Sequence, residues 1–188
     1  MKTIKISFLN ALVLLCTACG RAEFSGNSDK TPDVSVPVFA TATDYYIEIG
    51  QNFSDQLTGE VELTNIQLFG LANWPGVSSL PLEIRASLTG TAANGATVIS
   101  TTAPSGWSTA TPVINTTLPS SSTQYQLASA NIKDTAAAIL RQQRYWIVMK
   151  VRYGGIDLGK TLLLTGLYVH VDGQRSLGSL APVINLGF

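Results

Sequence analysis

A strict alternation of apolar and polar side chains constrains the fold of this chain more than any other feature. It is clearest over residues 80–88, where Leu80, Leu82 and Ile84 begin a run of five apolar residues at every second position. Because successive side chains of a β-strand point to opposite faces of a sheet, this period predicts a strand with one buried face. The same period predicts further strands over residues 45–49, 97–101, 113–117, 123–128, 161–164, 167–171 and 183–186.

Two other apolar runs add detail to this pattern. Residues 145–153 alternate on one face, but Trp146 and Val148 make the opposite face apolar as well, which predicts a strand at the centre of a sheet. Upstream, the apolar positions before and after Thr64-Asn65 are out of phase with each other. This change of phase predicts a bulge or a crossing between sheets.

One segment breaks the two-residue period. Residues 133–144 contain a run of three alanines, which are strong helix formers. Asn131 or Asp134 can cap the start of this helix, and Arg141 and Arg144 suit the negative end of its dipole. A single short helix among eight or more short strands predicts an all-β fold, an antiparallel β-sandwich with a helical crossover. At the level of fold, the helix leading into a late strand is similar to immunoglobulin-like and fibronectin-like domains.

The composition fits such a domain and excludes several classes of protein. The chain has 188 residues, of which 45% are hydrophobic and only 13% charged, whereas a disordered chain needs low hydrophobicity and high charge. Twelve basic and twelve acidic residues cancel, so no excess of positive charge indicates a nucleic-acid partner. No apolar run reaches the roughly 18 residues that indicate an internal transmembrane helix.

The first 20 residues have the pattern of a secretory signal peptide. Lys2 and Lys5 precede an apolar stretch over residues 6–15, and Thr17-Ala18-Cys19 follows shortly after it. This end resembles the lipobox of bacterial lipoproteins, in which a small residue precedes a cysteine that is lipidated and becomes the new N-terminus. The resemblance implies that acylated Cys19 attaches the protein to a lipid bilayer. Gly20 after the cysteine, rather than aspartate, implies the outer membrane.

Two alternatives stay open for this segment. A conventional signal peptidase that cuts near Ala18 or Ala22 would release a soluble protein. An uncleaved anchor would instead keep Cys16 and Cys19 as ordinary thiols.

If Cys19 is acylated, the chain is expected to have three parts. These are a signal peptide over residues 1–18, a lipidated N-terminus with a flexible tether over residues 19–43, and a β-sandwich domain over residues 44–188. The tether is predicted because this segment is rich in Ser, Thr, Asp, Gly and Pro.

No charged side chain occurs from Ala86 to Ile132. The neutral hairpins of an exported β-domain account for this stretch, because threonine favours strands and serine favours turns. The alternative is a neutral binding face, for example for a glycan, with Trp107 as a stacking platform. Trp74 and Tyr45 are two further aromatic residues, at predicted loops or edges, that are candidates for ligand binding.

Residues 154–161 match the G-x-x-x-x-G-K-T phosphate loop. That loop needs a helix beginning at Lys160, so that backbone N–H groups point at the phosphates, whereas residues 161–169 favour a strand. The sequence therefore predicts no nucleotide as a partner. Gly154-Gly155 is predicted instead to form the two-residue turn of a β-hairpin.

The remaining ionisable residues support a catalytic role only weakly. His170 is the only histidine, shares a strand face with Tyr168 and lies two residues from Asp172, but no G-x-S-x-G motif accompanies it. Glu60 and Glu62 share a strand face and could hold a cation, although a solvent-facing strand explains them equally well. The sequence predicts no catalytic residue, no metal site and no cofactor.

These observations favour a non-enzymatic lipoprotein of the cell envelope, in the periplasm or on the cell surface. Its sandwich is expected to bind or scaffold an unidentified envelope protein or a glycan. The alternatives are a carbohydrate-binding surface module and, less favoured, a small secreted hydrolase that uses His170 with Asp172.

Overall fold

The alternating segments of the chain form two antiparallel sheets. The computed structural model describes residues 21–27, 30–40, 43–52, 61–140 and 144–176. In chain order, the elements within these residues are β1 (Arg21–Asn27), β2 (Val34–Pro37), β3 (Asp44–Asn52), β4 (Val61–Trp74), β5 (Leu80–Ser87), β6 (Thr97–Ser100), β7 (Thr111–Leu118), β8 (Ser122–Ala128), α1 (Lys133–Leu140), β9 (Arg144–Arg152) and β10 (Thr161–Ser176).

Sheet A is built around β10. Its strand order is β1–β10–β4–β8, and β2 also pairs with β10. Because β4 occupies one edge of β10 along almost its whole length, β1 and β2 lie one after the other on the opposite edge. Sheet B has the order β6–β3–β9–β5–β7. The position of β9 in the middle of sheet B confirms the prediction from its two apolar faces.

The side chains between the two sheets form one apolar core. It contains Leu80, Leu82 and Ile84 from sheet B together with Leu162 and Leu164 from sheet A, all of them buried. The alternation over residues 80–88 therefore does mark a buried face. Two antiparallel sheets around a shared core, with one short helix, confirm the predicted all-β sandwich.

Helix α1 begins at Lys133, as predicted, and ends at Leu140. The Asn131 side chain accepts a hydrogen bond from the backbone N–H of Lys133 at 3.0 Å, so it serves the predicted capping role. Arg144 does not end the helix, because it is the first residue of β9. Ala136 packs on Ile66 of sheet A, and α1 is the crossover from β8 in sheet A to β9 in sheet B.

The segment predicted as a flexible tether contains two strands. All seven residues of β1 and all four residues of β2 pair with β10, so the prediction is wrong over these ranges. Val34, Val36 and Val38 are buried in the core and alternate with Ser35 and Pro37. The alternation could have predicted strand β2, but the polar composition of the segment favoured a tether instead.

Strand β10 unites two predicted strands, residues 161–164 and 167–171. Gly166 between them has a φ of +58°, which suits a glycine. The register with β4 shifts at this point, so a bulge joins the two halves. The predicted strand over residues 183–186 lies outside the described residues.

A second bulge lies where the change of phase predicted one. Asp172 of β10 pairs with Asn65, and the next residue, Gly173, pairs with Leu63. Thr64 is therefore the extra residue on β4. The bulge keeps the apolar side chains on both sides of it directed at the same face.

The connection after β9 is not the predicted hairpin. β9 belongs to sheet B and β10 to sheet A, so residues 153–160 cross between the sheets. Buried Asp157 holds this loop against the connection between β4 and β5. Its carboxylate accepts hydrogen bonds from the backbone N–H groups of Val77 (2.7 Å) and Ser78 (3.3 Å). A two-residue turn joins neighbouring strands of one sheet, which is why the prediction for Gly154-Gly155 is wrong.

Candidate functional site

Two of the three aromatic residues predicted to bind a ligand lie in the core. Trp74 is fully buried, and its indole N–H donates a hydrogen bond to the Ser78 carbonyl oxygen at 2.6 Å. Tyr45 is also buried, and its hydroxyl accepts a hydrogen bond from the backbone N–H of Ala40 at 2.6 Å. Since neither ring faces solvent, the structure corrects both predictions.

The third candidate, Trp107, is half-buried on the outer face of sheet B. The chain crosses this face between β5 and β6 and again between β6 and β7, and Trp107 packs there against a small cluster that includes Trp146 and Val148. The Arg85 guanidinium lies 4.2 Å from the centre of the Trp107 ring, and the Tyr46 ring meets it edge-on at 5.2 Å. Trp107 thus serves mainly to cover sheet B.

The outer face of sheet A presents a different surface, which we call the polar face. Three of its strands contribute neighbouring polar side chains. In one row β1 places Asn27 beside His170 of β10, which pairs with Gln67 of β4. In the next row Asp172 lies between Ser25 and Asn65. The polar face therefore consists of Ser25, Asn27, Asn65, Gln67, His170 and Asp172.

Hydrogen bonds link these side chains into one network. The Asn65 amide donates to Asp172 Oδ2 at 3.0 Å and to Gln67 Oε1 at 3.1 Å, and Gln67 in turn donates to the Ser129 carbonyl oxygen at 3.0 Å. The hydrogen bonds from Asn65 and Ser25, together with the charge of His170, lower the pKa of Asp172. Asp172 is therefore held as a carboxylate.

An aromatic group borders the polar face. Phe69 and Tyr168 are cross-strand neighbours whose rings stack with centres 5.5 Å apart. The His170 ring meets Phe69 edge-on at 6.4 Å. All three side chains are partly exposed. The surface thus combines amide groups, an imidazole and aromatic carbon at neighbouring positions.

The geometry around His170 differs from that of a hydrolytic triad. Its Nε2 lies 3.2 Å from Asp172 Oδ1, and its Nδ1 lies 2.7 Å from Asn27 Oδ1. In a triad the nitrogen that does not face the carboxylate contacts the nucleophile, but here an amide oxygen occupies that position. Ser25 instead bonds to Asp172. These contacts hold the His170 ring in one orientation as a hydrogen-bonding group. They do not place it to transfer a proton between a nucleophile and a carboxylate.

The segment that matches a phosphate loop has a different structure from one. Thr161 begins strand β10 rather than a helix. Asp157 points into the protein, and Lys160 is exposed. In phosphate loops the backbone N–H groups at the start of a helix bind the phosphates. Here a strand begins at that position, so this segment does not present such a group of N–H donors.

A shallow depression of about 160 Å³ lies on sheet B. Its charged residues all take part in ion pairs: Lys150 Nζ lies 3.0 Å from Asp44 Oδ2, Arg152 Nε lies 3.8 Å from Asp44 Oδ1, and Glu83 pairs with neighbouring Arg85 at 2.6 Å. The hydrogen bond to Asp44 raises the pKa of Lys150. Because its charges are internally compensated, this depression is a weaker candidate site than the polar face.

The predicted pair Glu60 and Glu62 is described only in part. Glu62 is exposed and forms an ion pair with Arg21 at 2.6 Å, whereas Glu60 and Cys19 lie outside the described residues. Across the described ranges, no three His, Cys, Asp or Glu side chains lie close enough to hold a metal ion. None of the helices in this part of the chain is long and apolar enough to span a membrane.

In comparisons with known proteins, no family model and no curated protein matches the chain. The candidate site therefore rests on the geometry of the polar face.

Proposed function

We propose that the protein is a lipoprotein of the bacterial outer membrane, anchored through acylated Cys19, whose sandwich binds a ligand without catalysing a reaction. The lipobox-like residues before Cys19 support the anchor. Cleavage before Cys19 would keep Arg21, which forms an ion pair with Glu62 at 2.6 Å. Cleavage after Ala22 would instead remove Arg21 and its ion pair with Glu62.

We propose further that the ligand is a neutral glycan and that the polar face binds it. The observation that carries this proposal is the row of partly exposed amide side chains beside Tyr168 and Phe69. Sugar hydroxyls need groups that both donate and accept hydrogen bonds, as the amides of Asn27 and Gln67 do. The C–H faces of sugar rings pack on aromatic carbon. An envelope protein is the alternative partner that the test below distinguishes.

The anchor is tested by replacing Cys19 with serine. Cys19→Ser is expected to leave an unprocessed precursor that retains residues 1–18, because lipid transfer needs the thiol. Mass spectrometry of the N-terminus measures this directly. A native N-terminus that starts unmodified at Cys19 or at Glu23 would contradict the proposal.

Glycan binding is tested by replacing Tyr168 with alanine. An aromatic contact contributes about 0.5–1.5 kcal/mol, so Tyr168→Ala is expected to weaken binding of glycan-array hits by up to about tenfold. Trp107→Ala is the matched control, because it removes a partly exposed aromatic ring from the other sheet and is expected to leave binding unchanged.

Two results would contradict the glycan proposal. One is a loss of binding in Trp107→Ala but not in Tyr168→Ala. The other is that the folded wild-type protein binds no glycan on the array but does bind an envelope protein, and that Tyr168→Ala abolishes this protein binding.

A further inference from the structure

The sandwich begins almost at the proposed lipid anchor. Arg21, the first residue of β1, follows Cys19 by two positions, and two extended residues span at most about 7 Å. β1 is attached to the sheet along its whole length, since all seven of its residues pair with β10. Phe24 packs in addition against the cluster around α1. Acylation of Cys19, on which this inference rests, therefore holds the sandwich directly against the bilayer.

Exposed apolar side chains cluster at the opposite end of β10. We call Phe39, Val77, Ile156 and Leu158 the apolar tip. More than half of each side chain is exposed, with Phe39 at 72% and Ile156 at 75%. Exposed apolar residues grouped in this way mark a surface that binds a partner or a membrane.

The loops that carry the apolar tip are held in place. The backbone N–H groups of Val38 and Gly159 donate hydrogen bonds to the carbonyl oxygens of Lys160 (2.9 Å) and Val38 (3.1 Å), respectively. Asp157 ties the same loop to Val77. The apolar tip is thus presented on a rigid support, which limits the entropy lost when it binds.

The anchor and the apolar tip lie at the two ends of one edge of the sandwich. β1 and β2 follow one another on the same edge of β10, with Arg21 beside Ser176 and Pro37 beside Thr161. β10 has 16 residues, so this edge is about 50 Å long at the usual rise of a strand. Phe39 follows β2 by two residues.

We propose that the β1–β2 edge lies along the bilayer and that the apolar tip enters its headgroup region as a second point of attachment. The short distance from Cys19 brings the Arg21 end of this edge to the lipid surface, and at its other end Phe39, Ile156 and Leu158 supply side chains that are favourable at an interface. The exposed charges along this edge are mixed, since Lys30 and Lys160 are offset by Glu23 and Asp33, so the apolar side chains rather than net charge supply this attachment.

Site-specific fluorescence on acylated protein in lipid vesicles tests this orientation. The mature protein has no other thiol, so Glu23→Cys, Ala40→Cys and Thr117→Cys each provide a single labelling position. Vesicles of anionic and zwitterionic lipids carry a quencher at the headgroup level. We expect strong quenching at positions 23 and 40, at the two ends of the edge, and little at position 117 on the outer face of sheet B.

A variant with Phe39, Ile156 and Leu158 all changed to aspartate serves as the control. It is expected to lose quenching at position 40 and to keep it at position 23. Retained quenching at position 40 in this variant overturns the proposal. Quenching of the wild-type protein at position 23 alone also overturns it and would indicate that the apolar tip binds a protein instead. Failure of the anchor itself has a different signature, namely an N-terminus without acyl chains and no quenching at either position.

Discussion

Replacing Trp74 with alanine is expected to destabilise the protein by about 3–5 kcal/mol, the usual range for a large aromatic residue in a core. Trp74 is fully buried, and its ring packs on that of Tyr153 with centres 5.3 Å apart. Its indole N–H also satisfies the Ser78 carbonyl oxygen. The loss is a large share of the 5–15 kcal/mol that is typical of a whole domain. Urea titration of the free energy of unfolding measures it.

Two variants control for the size and chemistry of this change. Trp74→Phe keeps most of the ring contact but loses the hydrogen bond to Ser78, so an intermediate loss is expected. Trp107→Ala removes the same side chain from a half-buried position where Arg85 covers it, which is expected to cost about 1–2 kcal/mol. If Trp107→Ala proved the costlier of the two alanine variants, the assignment of the core would be wrong.

Replacing Glu48 with alanine is expected to cost about 2–5 kcal/mol. Glu48 lies on the outer face of sheet B but is only 2% exposed, because the chain between β5 and β6 covers it. Its Oε1 accepts hydrogen bonds from the backbone N–H groups of Thr91 (2.7 Å) and Ala92 (2.5 Å) and from the Thr91 hydroxyl (3.0 Å). Without it, the buried N–H of Ala92 loses its acceptor, at about 1–3 kcal/mol, and the partly buried N–H of Thr91 loses its acceptor at a smaller cost.

Glu62→Ala is the matched control for Glu48→Ala. Glu62 is exposed and pairs with Arg21 on the surface, so its loss is expected to cost less than about 1 kcal/mol. Glu48→Gln keeps an acceptor oxygen and should fall between the two. Amide hydrogen exchange at Thr91 and Ala92 should accelerate in Glu48→Ala alone. Equal stability of Glu48→Ala and Glu62→Ala would show that the carboxylate does not hold this segment.

The candidate site was only partly accessible to sequence reasoning. The alternation in β10 correctly placed His170 and Tyr168 on one face, opposite the core. It gave no sign that Asn27 lies beside His170, 143 residues away in the chain. The sequence analysis predicted Trp74, Tyr45 and Trp107 as ligand-binding residues, because a sequence shows which side chains are aromatic but not which elements cover them.

Local patterns along the chain were enough to predict where most strands run, which of their faces is apolar, where α1 begins and where β4 carries a bulge. These features follow from the two-residue period of a strand and from the propensities of nearby residues, and both are properties of short segments. These patterns left open that residues 21–27 form a strand, that residues 153–160 cross between the sheets, and that three distant strands assemble the polar face. Pairing between strands depends on backbone N–H and C=O groups, which nearly all residues share, so the side chains of one strand do not identify its partner.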